Sequence, residues 1–544
     1  MPEISPPPAA LAAALTVAAL MGTACGEVAT RDNAGGTGYT LSASTPVPKG
    51  DIDSFSWSIY AEPPTLDYIY AFDYPQNMIL SNVCESLMRW TPQLGLEPGL
   101  ASEVKQPNPR TYVYRIRPGV RFHGGGELTA DDAVHSLRRH LDPGLGSYWA
   151  KSFERVASID KTGPMEVTVR LKRPDSQFNQ WMATSAGTIV NPGTIKAMGK
   201  EYGNPDGGVD CTGPYRLGVW RKGESIELDR FDGYWGRRAR SGKAVFRFIT
   251  DPAARTNAML TGEIDGGYLI GPDSYASLSS GGKGTLHFGK SLTTINLAFT
   301  NLKGTLSDVR VRRALSLALD RDGFIKTGLQ GVGSPAAAPA PREAWQGLPK
   351  AAVDDAYTGL PPVRRDLAGA KELIRQAGAT GKKITVATSP IGSDVSLLAT
   401  AVQAAGTEIG LDVELKSIAP DAYTALFSDP KARAAVDLFP STYYLSITDP
   451  LASYSIFRSG AFENYAGYSD PAYDSLVDQA IAEYDPAKRA ALTARLQKAE
   501  TDQVLWIPVA EWPTSLFLGT RITGAPTSIS YMYYPWAADV GAAG

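Results

Sequence analysis

Apolar and polar residues alternate along SFSWSIY (residues 54–60), the period of a strand with one face buried. TYVYRIRPG (111–119) and EVTVRLKRP (166–174) repeat that alternation, each closing on a proline, and predict two strands of an antiparallel sheet. Between them lies LTADDAVHSLRRHLDPG. Thr129 followed by Asp132 is a capping-box pair. Ala130, Ala133, Val134, Leu137 and Leu141 then share one helical face, and Asp142-Pro143-Gly144 stops the helix. From residue 366 the pattern changes. DLAGAKELIRQAG runs from an Asp cap to Gly378, with Leu367, Ala370, Ile374 and Ala377 as its apolar stripe. KKITVATS, SDVSLLATAVQAAGTEIG and LDVELKSI then read as strand, helix, strand, a βαβ unit with parallel pairing. Asp470-Pro471 and Asp485-Pro486 each set a cap before a proline at the first helical position and open two consecutive helices. A strand, VLWIPVAEW, and an extended tail follow. A hairpin-rich mixed half therefore precedes an α/β half, and no internal repeat interrupts them.

One stretch fits neither period: FPSTYYLSITDP, with Tyr443 and Tyr444 adjacent, then Ser446, then Asp449-Pro450. Asp before Pro is local turn chemistry; the tyrosines suit a site wall or a strand end.

At 544 residues the chain exceeds what one core holds, so two or more lobes are expected. An apolar content of 43% and a charged content of 20% are those of an ordinary globular protein. A net charge of −3 with no basic run provides no attraction for nucleic acid or anionic lipid. AALAAALTVAALMGTAC has the length of a signal-peptide core and ends in small residues before Cys25. It resembles a bacterial lipobox, although MPEISPPP carries no Lys or Arg and Gly22 stands where Leu is usual. Residues 1–24 are read as the signal peptide, Cys25 as the lipidated residue and residues 25–49, rich in Gly, Ser, Thr and Pro, as a flexible tether. A plain cleaved secretory peptide is the alternative. Two cysteines then remain, Cys84 and Cys211; export permits a disulfide, and two separate buried thiols are the other outcome.

Candidate chemistry is sparse. His135 and His140 lie five apart, poor spacing for sharing a metal, and HExxH, CxxC and GxSxG are absent. No nucleophile, base and oxyanion site assemble, so an enzyme is not expected, and neither a cofactor nor a metal. Tyrosine (25) and tryptophan (10) are plentiful and many fall in loops or strand ends, where aromatics line ligand clefts.

Five stretches together resemble the family 5 solute-binding proteins of bacterial ABC importers, the group with the oligopeptide- and dipeptide-binding proteins. They are VRFHGGGELTADDAVHSLRRHLDP, CTGPYRLGVWRKGESIELDRFDGYWG, FITDPAARTNAMLTGEIDGG, LSDVRVRRALSLALDRDGFIKTGLQGVGSPAAAP and YSDPAYDSLVDQAIAEYDPAKRAALTARLQKAETDQVLWIPV, in the family's order. The resemblance implies an α/β, two-lobed periplasmic-binding-protein-like fold (type II, cluster C) with an extra subdomain inserted in lobe I. Lobe I takes residues 50–86, 209–290 and 515–544, the insert 87–208 and lobe II 291–514. Cys84 and Cys211 then stand at the two edges of the insert, which favours a bridge between them. The resemblance implies capture of a small solute, by default a peptide, and delivery to a membrane permease by a monomer at the cell surface or periplasmic face, with a lipid anchor as its only membrane attachment. The positions matching family cleft contacts are Phe72, Tyr74, Tyr148, Tyr423, Tyr443, Ser446 and Trp512. In peptide-binding relatives an Asp holding the α-ammonium of the peptide stands where Ser446 does. A buried ammonium without a counter-charge costs several kcal/mol. Either Asp73, Asp449 or Glu511 substitutes, or the cargo lacks a free amine: a sugar oligomer, a modified metabolite or a metal chelate.

Overall fold

The computed structural model describes residues 29–30 and 39–544; Cys25 and the signal segment lie outside the described residues. The first long strand, β1 (Ile52–Ile59), is followed by helix α1 (Tyr74–Val83), capped by Asp73 in a capping box with Gln76. Strands β2 (Ala101–Asn108) and β3 (Thr111–Ile116), helix α2 (Ala130–Arg138), and strands β4 (Val156–Gly163) and β5 (Glu166–Leu171) come next. They form a four-stranded sheet in the order β2-β3-β5-β4 with α2 against it, and β3 and β5 are antiparallel neighbours. Thr129 and Asp132 cap α2 reciprocally, as their spacing predicts.

The chain then leaves this small sheet for the large one. Strands β6 (Tyr215–Arg221), β7 (Ser225–Arg230), β8 (Ser241–Phe248) and β9 (Gly266–Tyr268) lead into β10 (Gly284–Phe299). Strand β11 (Lys383–Thr388), helix α3 (Ser393–Glu408) and strand β12 (Asp412–Ser417) make the βαβ unit expected from the sequence, with β11 and β12 parallel. Strand β13 (Leu438–Tyr444), helices α4 (Pro471–Ala482) and α5 (Pro486–Gln503), and strand β14 (Trp506–Gly519) complete it. Asp470 and Asp485 cap α4 and α5 with proline at the first turn.

One sheet runs through both halves in the order β6-β7-β8-β1-β9-β14-β10-β13-β11-β12. Its two long central strands, β10 and β14, are antiparallel to each other and shared by two bodies. At one end β14 pairs with β9; at the other β10 pairs with β13. The cores divide in the same way. One apolar cluster is built on Phe55, Trp57, Tyr268 and Trp536, together with the α1 and α2 regions; two others occupy residues 295–510 around Phe299, Val386, Leu438 and Trp506. The shared ladder is broken midway. Gly289 faces Thr514 and the next pairing is Thr293 with Trp512, so β10 spends four residues where β14 spends two. Pro513, lacking an N–H donor, lies in that gap. Gly289 is required there: a Cβ would fall 2.2 Å from the Thr527 backbone.

Two expectations change. Residues 39–49 are not a free tether. Thr40–Ser42 is a strand whose Leu41 and Ser42 pair with Phe288 and Gly289, and Tyr39 buries its ring 5.4 Å from that of Phe288. Apolar Tyr39 and Leu41, set in a polar stretch, supply the surface that makes docking favourable. The C-terminal tail is compact, with 3-10 turns at Ile529–Met532 and Trp536–Asp539 packed into the first core. Cys84, the C-cap of α1, is bonded to Cys211 with Cα atoms 4.9 Å apart.

Candidate functional site: an aromatic seam between two bodies

YYLSITDP is the point where the second body reaches the first. Consecutive strand residues point to opposite faces, so Tyr443 and Tyr444 at the end of β13 diverge. Tyr444 crosses over: its hydroxyl donates to the Phe72 carbonyl, and its ring lies 4.7 Å from that of Tyr74 at the start of α1. Tyr443 packs at 5.4 Å, edge to face, against Trp506 and touches both cores. Leu445 and Ile447 are buried in the first core. Ser446, between them, bonds the Tyr533 hydroxyl at 3.2 Å.

Phe72, 48% exposed, stacks on Tyr148, 42% exposed, with ring centres 4.7 Å apart. Two large, well-exposed aromatics from separate segments thus form one open platform beside the Tyr74–Tyr444 contact. Trp512 stands on β14 at the ladder break opposite Thr293. It lines a cavity of about 120 Å³ with Tyr74, Thr293, Thr442 and Tyr531. Tyr423 does not belong to this group. It is 2% exposed inside the second body, its ring 6.4 Å from Phe439 and its hydroxyl bonded to the Pro440 carbonyl at 2.7 Å. The short helical turn carrying it faces the core, which packing decides and the sequence of a four-residue helix does not.

The three acids expected to replace the missing Asp have different situations. Asp449 is 1% exposed and caps Leu451 N at 3.0 Å, with Arg489 3.6 Å away; it is turn and core structure. Asp73 caps α1 and accepts from the Tyr60 hydroxyl at 3.0 Å; burial raises its carboxyl above the usual range. Glu511 pairs across the ladder with Thr294 and Ser334. A fourth acid, Glu463, was missed by sequence reasoning. It acts electrostatically on Tyr148, Tyr443 and Tyr465, and burial raises its own carboxyl, partly offset by its own backbone N–H and Lys151. It sits in an irregular loop, ENYAGYSD, which offered no periodic signal.

At the far rim the small sheet contacts the second body. Arg155, 3% exposed, holds Asp478 of α4 at 2.6 Å; Arg173 reaches the same carboxylate at 2.9 Å and Arg458 approaches at 3.4 Å. Close by, the Tyr484 hydroxyl sits 3.0 Å from that of Tyr112 and 2.8 Å from the Asp175 carbonyl. Among the described residues no group of three or more His, Cys, Asp or Glu side chains is arranged to hold a metal ion. No helix among them is long and apolar enough to cross a membrane.

Two bodies, two shared strands and an aromatic seam between them describe a two-lobed fold, and the comparisons agree. The profile described as "Bacterial extracellular solute-binding proteins, family 5 Middle" matches residues 95–465. The chain belongs to that family. It is a substrate-binding protein of the ABC-importer type, and its relatives are transport proteins rather than enzymes. It is 25% identical over 410 residues to the glutathione-binding protein GsiB of Pectobacterium atrosepticum, a match covering 74% of this chain and 77% of that protein. Its fold matches the periplasmic binding protein DppA of Helicobacter pylori in complex with the peptide STSA, with a TM-score of 0.78, 21% identity, and 91% and 99% of the two chains covered. It also matches AgaA of A. tumefaciens R10 in complex with agropinic acid, with a TM-score of 0.76, 20% identity, and 90% and 98% covered.

Proposed function

We propose that this family 5 protein is a lipoprotein that captures a small solute, by default a peptide, between its two lobes and passes it to a membrane permease. The lobes are divided as the sequence suggests, with the insert at 87–208 and the second lobe at 291–514. The observation that carries the reading is the Tyr444–Phe72 hydrogen bond, made between the bodies, with Tyr74, the ring neighbour of Tyr444, lining the cavity. Contacts of this kind exist only when the lobes are together, so a ligand touching both lobes shifts the population toward the closed form. Going from mostly open to mostly closed takes about 5.5 kcal/mol of differential affinity. Phe72, Tyr74, Tyr148 and Tyr444 offer the apolar area for it, and Glu463 offers a carboxylate for an ammonium.

A second reading keeps the transport role with an amine-free cargo. It is favoured by Ser446, whose hydroxyl is bonded to Tyr533, and by the commitment of Asp73 and Asp449 to helix and turn caps. The relatives bound to a peptide and to agropinic acid show that this fold serves both chemistries. Mass spectrometry of small molecules released from the denatured protein tests the capture, and calorimetric titration with a peptide pool and with oligosaccharides separates the two cargos. Protein that releases nothing and binds neither pool would overturn the proposal. Radiolabelled palmitate incorporation lost in Cys25→Ser tests the anchor.

A further inference from the structure

The cavity at the base of the seam is built differently from the seam itself. Its wall includes Tyr74, Leu269, Thr293, Trp512, Ile529 and Tyr531, and no lining residue is charged. Two of its lining side chains nevertheless carry buried polar groups without a partner inside the protein. Tyr531 is fully buried, and its hydroxyl makes no hydrogen bond within the protein; neither does the buried Trp512 Nε1. The Tyr275 hydroxyl lies near Trp512 and Ser515 but meets neither at hydrogen-bond geometry. Buried donors are almost always satisfied, so two on one wall call for an acceptor. The volume, about 120 Å³, is close to that of apolar cavities of about 150 Å³ that take benzene. Charge narrows the acceptor. No Lys or Arg lines the wall, and Asp73 acts on both Tyr74 and Tyr531, so an anionic group meets repulsion and no counter-charge.

We propose that this cavity is the recess for one uncharged, ring-sized group of the cargo, held through a neutral acceptor atom by Trp512 Nε1–H and the Tyr531 hydroxyl. The assignment rests on the capture reading above and names the part of the cargo that determines specificity. Benzamide is the probe, because it joins a ring to a neutral carbonyl. Benzene lacks the acceptor, benzoate is anionic and benzamidine is cationic with donors only. Binding to the purified full-length chain is read by saturation-transfer NMR and by crystal soaking. Benzamide is expected in the cavity, about three- to tenfold tighter than benzene and at least about tenfold tighter than benzoate or benzamidine. Tyr531→Phe reduces benzamide binding toward the benzene level and leaves benzene binding unchanged, which also shows that the variant is folded; Trp512→Phe, which also removes part of the wall, reduces the preference for benzamide over benzene. Benzoate or benzene binding as tightly as benzamide, benzamide binding insensitive to both substitutions, or no benzamide in the cavity of the soaked crystal would overturn the assignment. Protein that binds benzamide as described but retains no cargo refutes the capture reading alone. Protein that retains cargo but treats the four probes alike refutes the recess alone.

Discussion

Replacing Asp478 with Asn should open the clamp while leaving each lobe folded. Asp478 is the one carboxylate that Arg155 and Arg173 of the small sheet and Arg458 of the second body share. Breaking a fully buried ion pair costs about 3–5 kcal/mol, and breaking an exposed one less than about 1 kcal/mol. Here the environment is mixed: Arg155 is 3% exposed, Asp478 is 30% exposed, and Arg155 keeps the Pro174 carbonyl at 2.7 Å. A loss of about 1–2 kcal/mol follows, charged to the closed form only, because the contact joins the two bodies and lies within neither. At about 1.4 kcal/mol per factor of ten, the closed-to-open ratio falls roughly five- to thirtyfold. Small-angle scattering or single-molecule energy transfer on the ligand-free protein reads that ratio, and cargo affinity should weaken by up to the same factor. Arg173→Ala, removing a side chain 53% exposed, should shift the ratio by less than about threefold. If Asp478→Asn lowers the melting temperature but leaves the open and closed populations unchanged, the contact is ordinary packing and the latch argument fails.

Three other outcomes follow from the structure. Cys84→Ser with Cys211→Ser removes a bond closing a loop of 127 residues, worth about 5 kcal/mol in the chain-entropy model, and calorimetry should show earlier unfolding of the lobe carrying the insert, as should reduction of the native protein. Glu463→Gln should weaken a cargo carrying an ammonium by about fivefold or more and leave a neutral cargo unaffected; equal losses for both would show that the carboxylate is not the anchor. Stability against pH should have two limbs. Burial raises Glu500 to about 8, so it is protonated in the fold and ionised when unfolded; the stability this gives is complete below about 4.5 and lost as pH rises through 8. Asp175, at about 6, adds to that limb, whereas His140, held at about 3 by burial, costs stability as pH falls below about 6.5. Melting curves of Glu500→Gln should lose most of the alkaline slope; an unchanged slope would refute the assignment.

Elements whose signals are local were legible. Asp before Pro at 470 and 485 opened α4 and α5, and Thr129 with Asp132 opened α2, because a cap is satisfied by residues within one turn. Partners set by sidedness were not. Tyr423 and Tyr444 look alike in the sequence, yet one fills a core and the other crosses between lobes. Irregular segments have no period to fix their facing, and in a strand end the choice between adjacent residues depends on which face of the sheet the neighbouring body occupies. The docking of Thr40–Ser42 was hidden for a related reason. Three residues that satisfy their backbone on a strand more than two hundred positions away leave no periodic trace.

The ladder break on β10 and β14 would let one continuous sheet serve two bodies that close on a solute, as proposed above. A regular antiparallel pair is stiff, because bending it strains every hydrogen bond along the strands. Residues 290–292, between the Gly289–Thr514 and Thr293–Trp512 pairs, take no partner on β14, and Pro513 cannot donate there in any case. Rotation at this point therefore sacrifices few bonds, while the pairs on either side, such as Phe288 with Ser515 and Ile295 with Ala510, stay with their own body. A hinge that resists little stores little energy, so the preference for open or closed must be decided away from it. The contacts placed to decide it are Tyr444 on Phe72 at the seam and Arg155, beside the small sheet, on Asp478. Substitutions at those two contacts should change the population of closed protein, whereas substitutions at Lys290 or Ser291 that preserve the break should change chiefly the rate of opening and closing.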